Sequence, residues 1–122
     1  PIAADESVHV AGDLGALARK YQLVNIKLDK TGGLTAALDL AAAAEAAGFG
    51  LMVGCMICSS LSIAPALVLA ARATFIDLDG PLWLAADRPG GVAGLQGVLQ
   101  PPLPGFWGES SPSTSKTEGV RT

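Results

Sequence analysis

The sequence predicts an α/β fold in which strands and helices alternate along the chain and the strands lie parallel. Three observations carry that expectation. Short apolar runs at Ala4, Leu23–Asp29, Leu51–Val53 and Thr74–Ile76 are separated by longer helical patterns, the β-α-β-α-β-α-β order that builds a parallel sheet with right-handed crossovers. A polar or unusual residue follows each run at a regular interval: Asp5, Lys30, Cys55 and Asp79 are each roughly 25 residues apart, the size of one βα unit in a barrel or a doubly wound sheet. No glycine-rich dinucleotide fingerprint follows any strand, which disfavours the doubly wound option.

Ile2-Ala3-Ala4 reads as the end of a buried strand. The chain opens on Pro1 with no basic-then-apolar leader behind it, so the sequence is expected to begin inside a longer protein. A helix is predicted over Gly12–Lys20, because Leu14, Leu17, Ala18 and Tyr21 recur at helical spacing. Asp13 in its first turn and Arg19 and Lys20 in its last suit the helix dipole. Leu23–Asp29 is the next strand. Gly32-Gly33 turns the chain into a helix over Leu34–Ala47, which Gly48 terminates.

Leu51-Met52-Val53 forms the third strand, and a helix follows from Ser60 or Ser62 to Ala71. With Ser62 as N-cap, Pro65 would fall in the first turn, where its missing N–H costs little. Thr74–Ile76 is the fourth strand. Beyond Asp79 the alternation stops: Asp87–Gly91 is a turn cluster, and Val92–Leu95 with Val98–Gln100 read as short antiparallel strands. Pro101–Gly108 is a proline-rich extended run. Residues 109–122 are mostly Ser, Thr, Gly, Pro and charged, and are expected to form a disordered tail.

Composition narrows the function. The chain has 122 residues, a formal charge of −3, 50% hydrophobic and 5% aromatic residues, enough for one modest core. Scattered basic residues in a mildly acidic chain exclude a nucleic-acid surface, which needs clustered Lys and Arg. Ala46–Ala71 lacks charge and approaches the roughly 20 apolar residues of a membrane span. Gly48, Gly50, Gly54, Ser59-Ser60, Ser62 and Pro65 interrupt it, so it reads as a buried strand and a helix, and no membrane partner is expected.

In parallel barrels, reacting groups gather where strands end. Here those positions hold Asp5-Glu6, Asp29-Lys30, Cys55-Met56 and Asp77 with Asp79. Carboxylates beside a lysine can hold a divalent cation and tune the amine. Side-chain alternation puts Ile26, Leu28 and Lys30 on one face of an extended strand; if that apolar set lines a barrel, Lys30 faces inward. Asp77 and Asp79 share a face if the strand continues through them, and an ammonium between them would relieve their repulsion.

Cys55 and Cys58 form a Cys-x-x-Cys after a strand and before a helix, so a thiol redox module is a rival reading. The surrounding strand pattern does not suit the thioredoxin-like fold, and buried free thiols are the simpler account. Zinc would need more ligands, and His9, the only histidine, reads as a loop residue. Trp83 and Trp107 are expected to pack against strands, and Asp39 and Glu45 to be solvated helix positions. An alanine-rich interaction or membrane-associated module is the rival outside enzymology.

Taken in order, Ala4-Asp5-Glu6-Ser7, Lys27-Leu28-Asp29-Lys30-Thr31-Gly32-Gly33-Leu34, Gly54-Cys55-Met56 and Asp77-Leu78-Asp79-Gly80 resemble the second half of the muconate-lactonizing subgroup of the enolase superfamily. Pro104-Gly105-Phe106-Trp107-Gly108 is similar to that family's terminal segment. The resemblance implies the C-terminal half of a TIM-type (β/α) barrel over residues 1–84. A turn and extended segment at 85–108 would pack back on a capping region, and the tail at 109–122 departs from the family.

It further implies that Asp5 is the last of three carboxylates binding Mg²⁺, with Glu6 a supporting carboxylate beside it. Lys30 would be one of two acid/base lysines facing each other across the substrate. Asp77 and Asp79, with Cys55 and Met56 on the same rim, would bind substrate. The Asp-x-Asp pair is similar to the element by which dipeptide epimerases hold an ammonium group. The implied reaction is epimerisation of a small dipeptide such as L-Ala-D/L-Glu by α-proton removal and return, with a metal-stabilised enolate. Muconate cycloisomerase and succinylbenzoate synthase are the alternatives within the superfamily. A cytoplasmic location and a full-length protein free to form homo-oligomers accompany this reading. The other lysine and two metal ligands would lie upstream, so the chain alone is expected to be inactive, to bind metal poorly and to expose unpaired sheet edges.

Overall fold

A computed structural model describes residues 1–108; the tail predicted at 109–122 lies outside the described residues. Four short strands, β1 (Ala3–Ala4), β2 (Leu23–Lys27), β3 (Gly50–Gly54) and β4 (Phe75–Asp77), form one sheet in the order β1-β2-β3-β4. Every pairing is parallel, with Ala4 beside Val24, Val24 beside Leu51, and Val53 beside Ile76. The strands therefore run in chain order and share one carboxyl-terminal edge. That is the arrangement of consecutive βα units in half of a (β/α) barrel.

Helix α1 (Leu14–Leu17), preceded by a 3₁₀ turn at Ala11–Asp13, joins β1 to β2. It is shorter than predicted. The α-helix ends at Leu17 and a turn follows, in which the Lys20 N–H bonds only three residues back to Leu17. Tyr21 still packs against the core. The Asp13 carboxylate accepts the backbone N–H groups of His9 (2.8 Å) and Val10 (3.0 Å), fixing the entry to this turn.

Strand β2 also ends early, at Lys27. Leu28–Thr31 form a one-turn helix, α2, which Gly32 closes at φ 89°, a conformation in which glycine is unstrained. Helix α3 (Leu34–Ala46) buries Ala37, Leu40, Ala41 and Ala44. These small side chains pack beside Val24, Ile26, Leu51 and Val53 in the main core. Successive strand residues point to opposite sides, so Leu23, Asn25 and Lys27 occupy the face away from that core. Leu23, although buried, is not part of the core cluster.

Helix α4 (Ser60–Ala70) starts at Ser60, so Pro65 lies inside it rather than in its first turn. The cause is a partner distant in sequence. The Asp87 carboxylate accepts the Ser60 N–H at 3.0 Å and the Ser60 hydroxyl, satisfying a helix-start donor that no local side chain reaches. The Ser60 hydroxyl in turn accepts the Val92 N–H at 2.9 Å. The chain after β4 is thereby fastened to α4, and Val92 and Phe106 enter the core. Strands β5 (Ala93–Leu95) and β6 (Val98–Gln100) form the expected antiparallel hairpin around Gln96-Gly97, both at positive φ.

The uncharged Ala46–Ala71 stretch resolves into β3 and α4. Among the described residues, no helix is long and apolar enough to cross a membrane.

Candidate active site

The parallel order brings the carboxyl ends of β1 to β4 to one rim, and the charged residues cluster there. Asp5 follows β1 and Lys27 ends β2. The Lys27 ammonium lies 3.1 Å from the Asp5 carboxylate, and that of Lys30 lies 2.9 Å from Asp5 and 2.7 Å from Glu6. Both lysine side chains are mostly buried, whereas Asp5 is 44% exposed.

These contacts set the electrostatics. Burial opposes the Lys30 charge, but hydrogen bonds to Glu6 and Asp5 outweigh it and hold the ammonium above its ordinary pKa. For Asp5, burial acts to raise the pKa; hydrogen bonds from Lys30 and Lys27 outweigh it and hold the carboxyl below its ordinary range.

Lys30 does not occupy the inward strand face expected of it. That placement required the extended chain to run through Lys30, but the backbone turns into α2 at Leu28. The apolar face of β2, Val24 and Ile26, meets the core under α3 rather than the opposite side. Lys27 is the lysine on that opposite side. It is in register with Gly54, which in turn is in register with Asp77, so Lys27 and Asp77 belong to one sheet face. Lys30 reaches the same carboxylate from the α2 turn. Lys27 is hard to find in the sequence because Ile26-x-Leu28-x-Lys30 continues a strand's alternation without a break. The visible signal is the Thr-Gly-Gly that closes a helical turn.

Strand β4 ends at Asp77, and Asp79 starts a 3₁₀ turn over Gly80–Trp83. Both carboxylates are exposed and line an open cleft of about 610 Å³ between α4 and the β5–β6 hairpin, beside Leu67, Leu82 and Val98. Asp79 accepts the Trp83 indole N–H at 2.8 Å. Trp83 is 71% and Trp107 56% exposed, so neither is packed on a strand as predicted; Trp107 meets an edge of Phe106, with ring centroids 5.0 Å apart. The expectations for the remaining polar residues hold: His9 is an exposed loop residue, Asp39 is exposed on the surface of α3, and Glu45 is a surface position paired with Arg72.

Between the two charged groups lies the β3–α4 loop. Cys55 and Cys58 are free and half-buried, and Met56 is exposed. Burial pushes both thiols above the ordinary cysteine pKa, the opposite of an activated redox thiolate. Asp29, beside Lys30, accepts the Ser62 hydroxyl at 3.2 Å, which ties the α2 turn to α4.

The oxygen donors suit Mg²⁺, which commonly takes one or two carboxylates and retains water. Among the described residues, no three His, Cys, Asp or Glu side chains gather as a metal cluster. Asp5, already holding two cationic groups, fits such an ion in kind.

Paired amines and carboxylates on the strand-end rim of a half-barrel place the chain among (β/α)-barrel domains, in which reacting groups gather where strands end. The chain belongs to the enolase C-terminal domain-like family, which matches residues 1–101. It is similar to the L-Ala-D/L-Glu epimerase of Escherichia coli strain K12, with 60% identity over 87 residues covering 71% of this chain and 27% of that protein. It is also similar to an N-acetyl-D-glutamate racemase from Pseudoalteromonas, with 50% identity over 108 residues covering 88% of this chain and 34% of that protein. A crystal structure of an enolase family member from Agrobacterium tumefaciens, with homology to dipeptide epimerases and bound sodium and L-Ala-L-Glu, superposes with a TM-score of 0.82. Its identity is 52%, over 88% of this chain and 33% of that one. The chain thus spans about a third of the length of these relatives.

Proposed function

We propose that the chain supplies one side of the active site of a magnesium-dependent dipeptide epimerase acting on L-Ala-D/L-Glu or a close analogue. The observation that carries this is the rim itself: two amines on Asp5, on the same edge of the sheet as Asp77 and Asp79. Lys27 is the better placed proton carrier, because it shares the sheet face of Asp77. Lys30, the residue singled out by its spacing, positions Asp5 and Glu6 and stands second.

Asp5 would hold Mg²⁺ together with ligands supplied by the rest of the protein, and Glu6 would support it. When bound, the ion supplies the positive charge needed beside a substrate carboxylate as its α-proton leaves, the pairing of Mg²⁺ with a Lys or His base that enolase-superfamily sites use. With Asp5 committed to a cation, the amines lose a shared anion that favours their charged forms, which suits one of them to act as base. Asp77 and Asp79 would orient the substrate ammonium, and Cys55 and Met56 would border it. A second amine from the rest of the protein would return the proton to the opposite face. The complete protein is proposed to be cytoplasmic and free to assemble as a homo-oligomer, with residues 85–108 packing toward its capping region.

The test is α-proton exchange by the complete protein in D₂O, followed by NMR with Mg²⁺ and L-Ala-L-Glu. Deuterium incorporation with inversion is expected. Lys27→Ala should lower it by about 10²–10⁴-fold, the usual range for a positioned acid or base, and by more than Lys30→Ala. Turnover of N-acetyl-glutamate or a muconate without dipeptide exchange would overturn the substrate assignment.

A further inference from the structure

One buried polar group beneath the rim lacks a partner. Asn25 on β2 is 5% exposed, and it and Ser60 are the buried polar residues among those described. Ser60 is satisfied by Asp87 and Val92, whereas the Asn25 Oδ1 has no hydrogen-bond partner among the described residues. A buried acceptor without a donor carries the full cost of its desolvation, so its retention calls for a function or a partner. Gly54 defines where this amide lies. Asn25 is in register with Met52, yet a Cβ placed on Gly54 would lie 2.6 Å from the Asn25 Oδ1, 2.9 Å from its Nδ2 and 3.2 Å from its Cγ. The carboxamide therefore leans toward the rim and packs flat on the Gly54 backbone. Gly54 does not take a positive φ; what requires glycine there is room for the amide. Gly54 is in register with Lys27 on one side and Asp77 on the other. Across this face the row thus reads amine, carboxamide, carboxylate, the carboxamide being supplied by Asn25 from one step below.

We propose that Asn25 is a positioning residue for Lys27, its free carbonyl oxygen accepting one Lys27 N–H when the amine leaves Asp5. In the structure the Lys27 ammonium is engaged by the Asp5 carboxylate at 3.1 Å. An amine that takes a proton from carbon must give up that contact and present its lone pair to the substrate. Left alone, it would turn freely on a flexible four-carbon stem. Neighbouring strands lie about 4.8 Å apart, within the span of that stem, so the amide over Gly54 is the next acceptor on the row. Donation of one N–H to a fixed oxygen holds the nitrogen in place and leaves its lone pair pointing away from Asn25, out of the sheet face. Burial keeps water from competing for the same oxygen, and Gly54 fixes the amide from below. Asn25 touches no substrate; it acts through Lys27.

Two tests on the complete protein separate this role from a structural one. In the first, which rests on the epimerase reading, Asn25→Leu keeps the shape of the side chain and removes the acceptor. It is expected to lower kcat for dipeptide exchange by about 10²-fold with KM unchanged, and to leave the urea midpoint equal or higher, because no bonded partner is stranded. Gly54→Ala, whose methyl displaces the amide, should lower kcat in the same way, and adding it to Asn25→Ala should cost nothing further. An unchanged kcat in Asn25→Leu, whatever its midpoint, or a Gly54→Ala loss that adds in full to that of Asn25→Ala, would overturn the assignment. The second test needs no turnover. Asparagine side chains labelled with ¹⁵N are followed by NMR as Mg²⁺ is added, Asn25→Leu identifying the resonance. The Asn25 amide signal is expected to shift in the parent protein and to stay in place in Lys27→Met. No shift in the parent, or the same shift in Lys27→Met, would overturn the contact. If the parent exchanges no dipeptide, the epimerase reading fails and the NMR result alone decides whether Asn25 holds Lys27.

Discussion

At the scale of single residues, the most consequential contact outside the rim is Ser60 with Asp87. Ser60 is fully buried, and its N–H and hydroxyl both donate to one carboxylate while its oxygen accepts from Val92. Ser60→Ala leaves the buried Val92 N–H without a partner and should cost about 1–3 kcal/mol, read as a lower urea midpoint. Hydrogen bonds from Ser60, opposed by burial, hold the Asp87 carboxyl below its ordinary value of 3.8. A depressed folded-state pKa contributes stability that is present above 3.8 and disappears as pH falls through the folded value. Asp87→Asn should therefore lower the midpoint at neutral pH and lessen its fall in acid, relative to the parent protein. None of this was legible in the sequence: Asp87 appeared only as part of a turn cluster, because its partner lies 27 residues away. Asp5 was legible, since a carboxylate just past a buried strand has one place to go.

Among the elements, strands were easier to foresee than helix ends. A run such as Leu51-Met52-Val53 is apolar on both faces, as a strand inside a parallel sheet requires. The ends of α1, α2 and α4 depended on turns and long-range partners that no periodicity encodes. Helix α4 gives the clearest test. Asp87 draws its start back to Ser60, leaving Pro65 in the interior with no N–H to give the preceding turn. Interior proline disfavours a helix by up to about 3 kcal/mol, offset in part by the entropy it removes from the unfolded chain. Pro65→Ala should thus raise the denaturation midpoint, by about 1 kcal/mol in free energy. An unchanged or lower midpoint would mean that the helix start, and not the proline, sets the strain.

For the whole molecule, the sheet decides what the chain can do alone. Four parallel strands with β1 and β4 at open edges make half of the eight-stranded barrel. Phe75 and Ile76 on β4 are each about half exposed, as are Met56 and Val68. An apolar strand edge without a neighbour favours association with another chain. The isolated chain should self-associate in sedimentation experiments, and Ile76→Lys should reduce that association by placing a charge on the edge. The same openness limits chemistry. On the proposed reading, one carboxylate with an adjacent helper holds Mg²⁺ only weakly, since water fills the remaining positions, and amines on one side of a stereocentre can remove a proton but not return it to the opposite face. Calorimetry on the isolated chain should accordingly find no tight Mg²⁺ site, and NMR in D₂O no inversion of L-Ala-L-Glu. Efficient inversion by these residues alone would mean that both faces of the substrate are served from a single rim, and the division of the active site between two halves of a barrel would have to be abandoned.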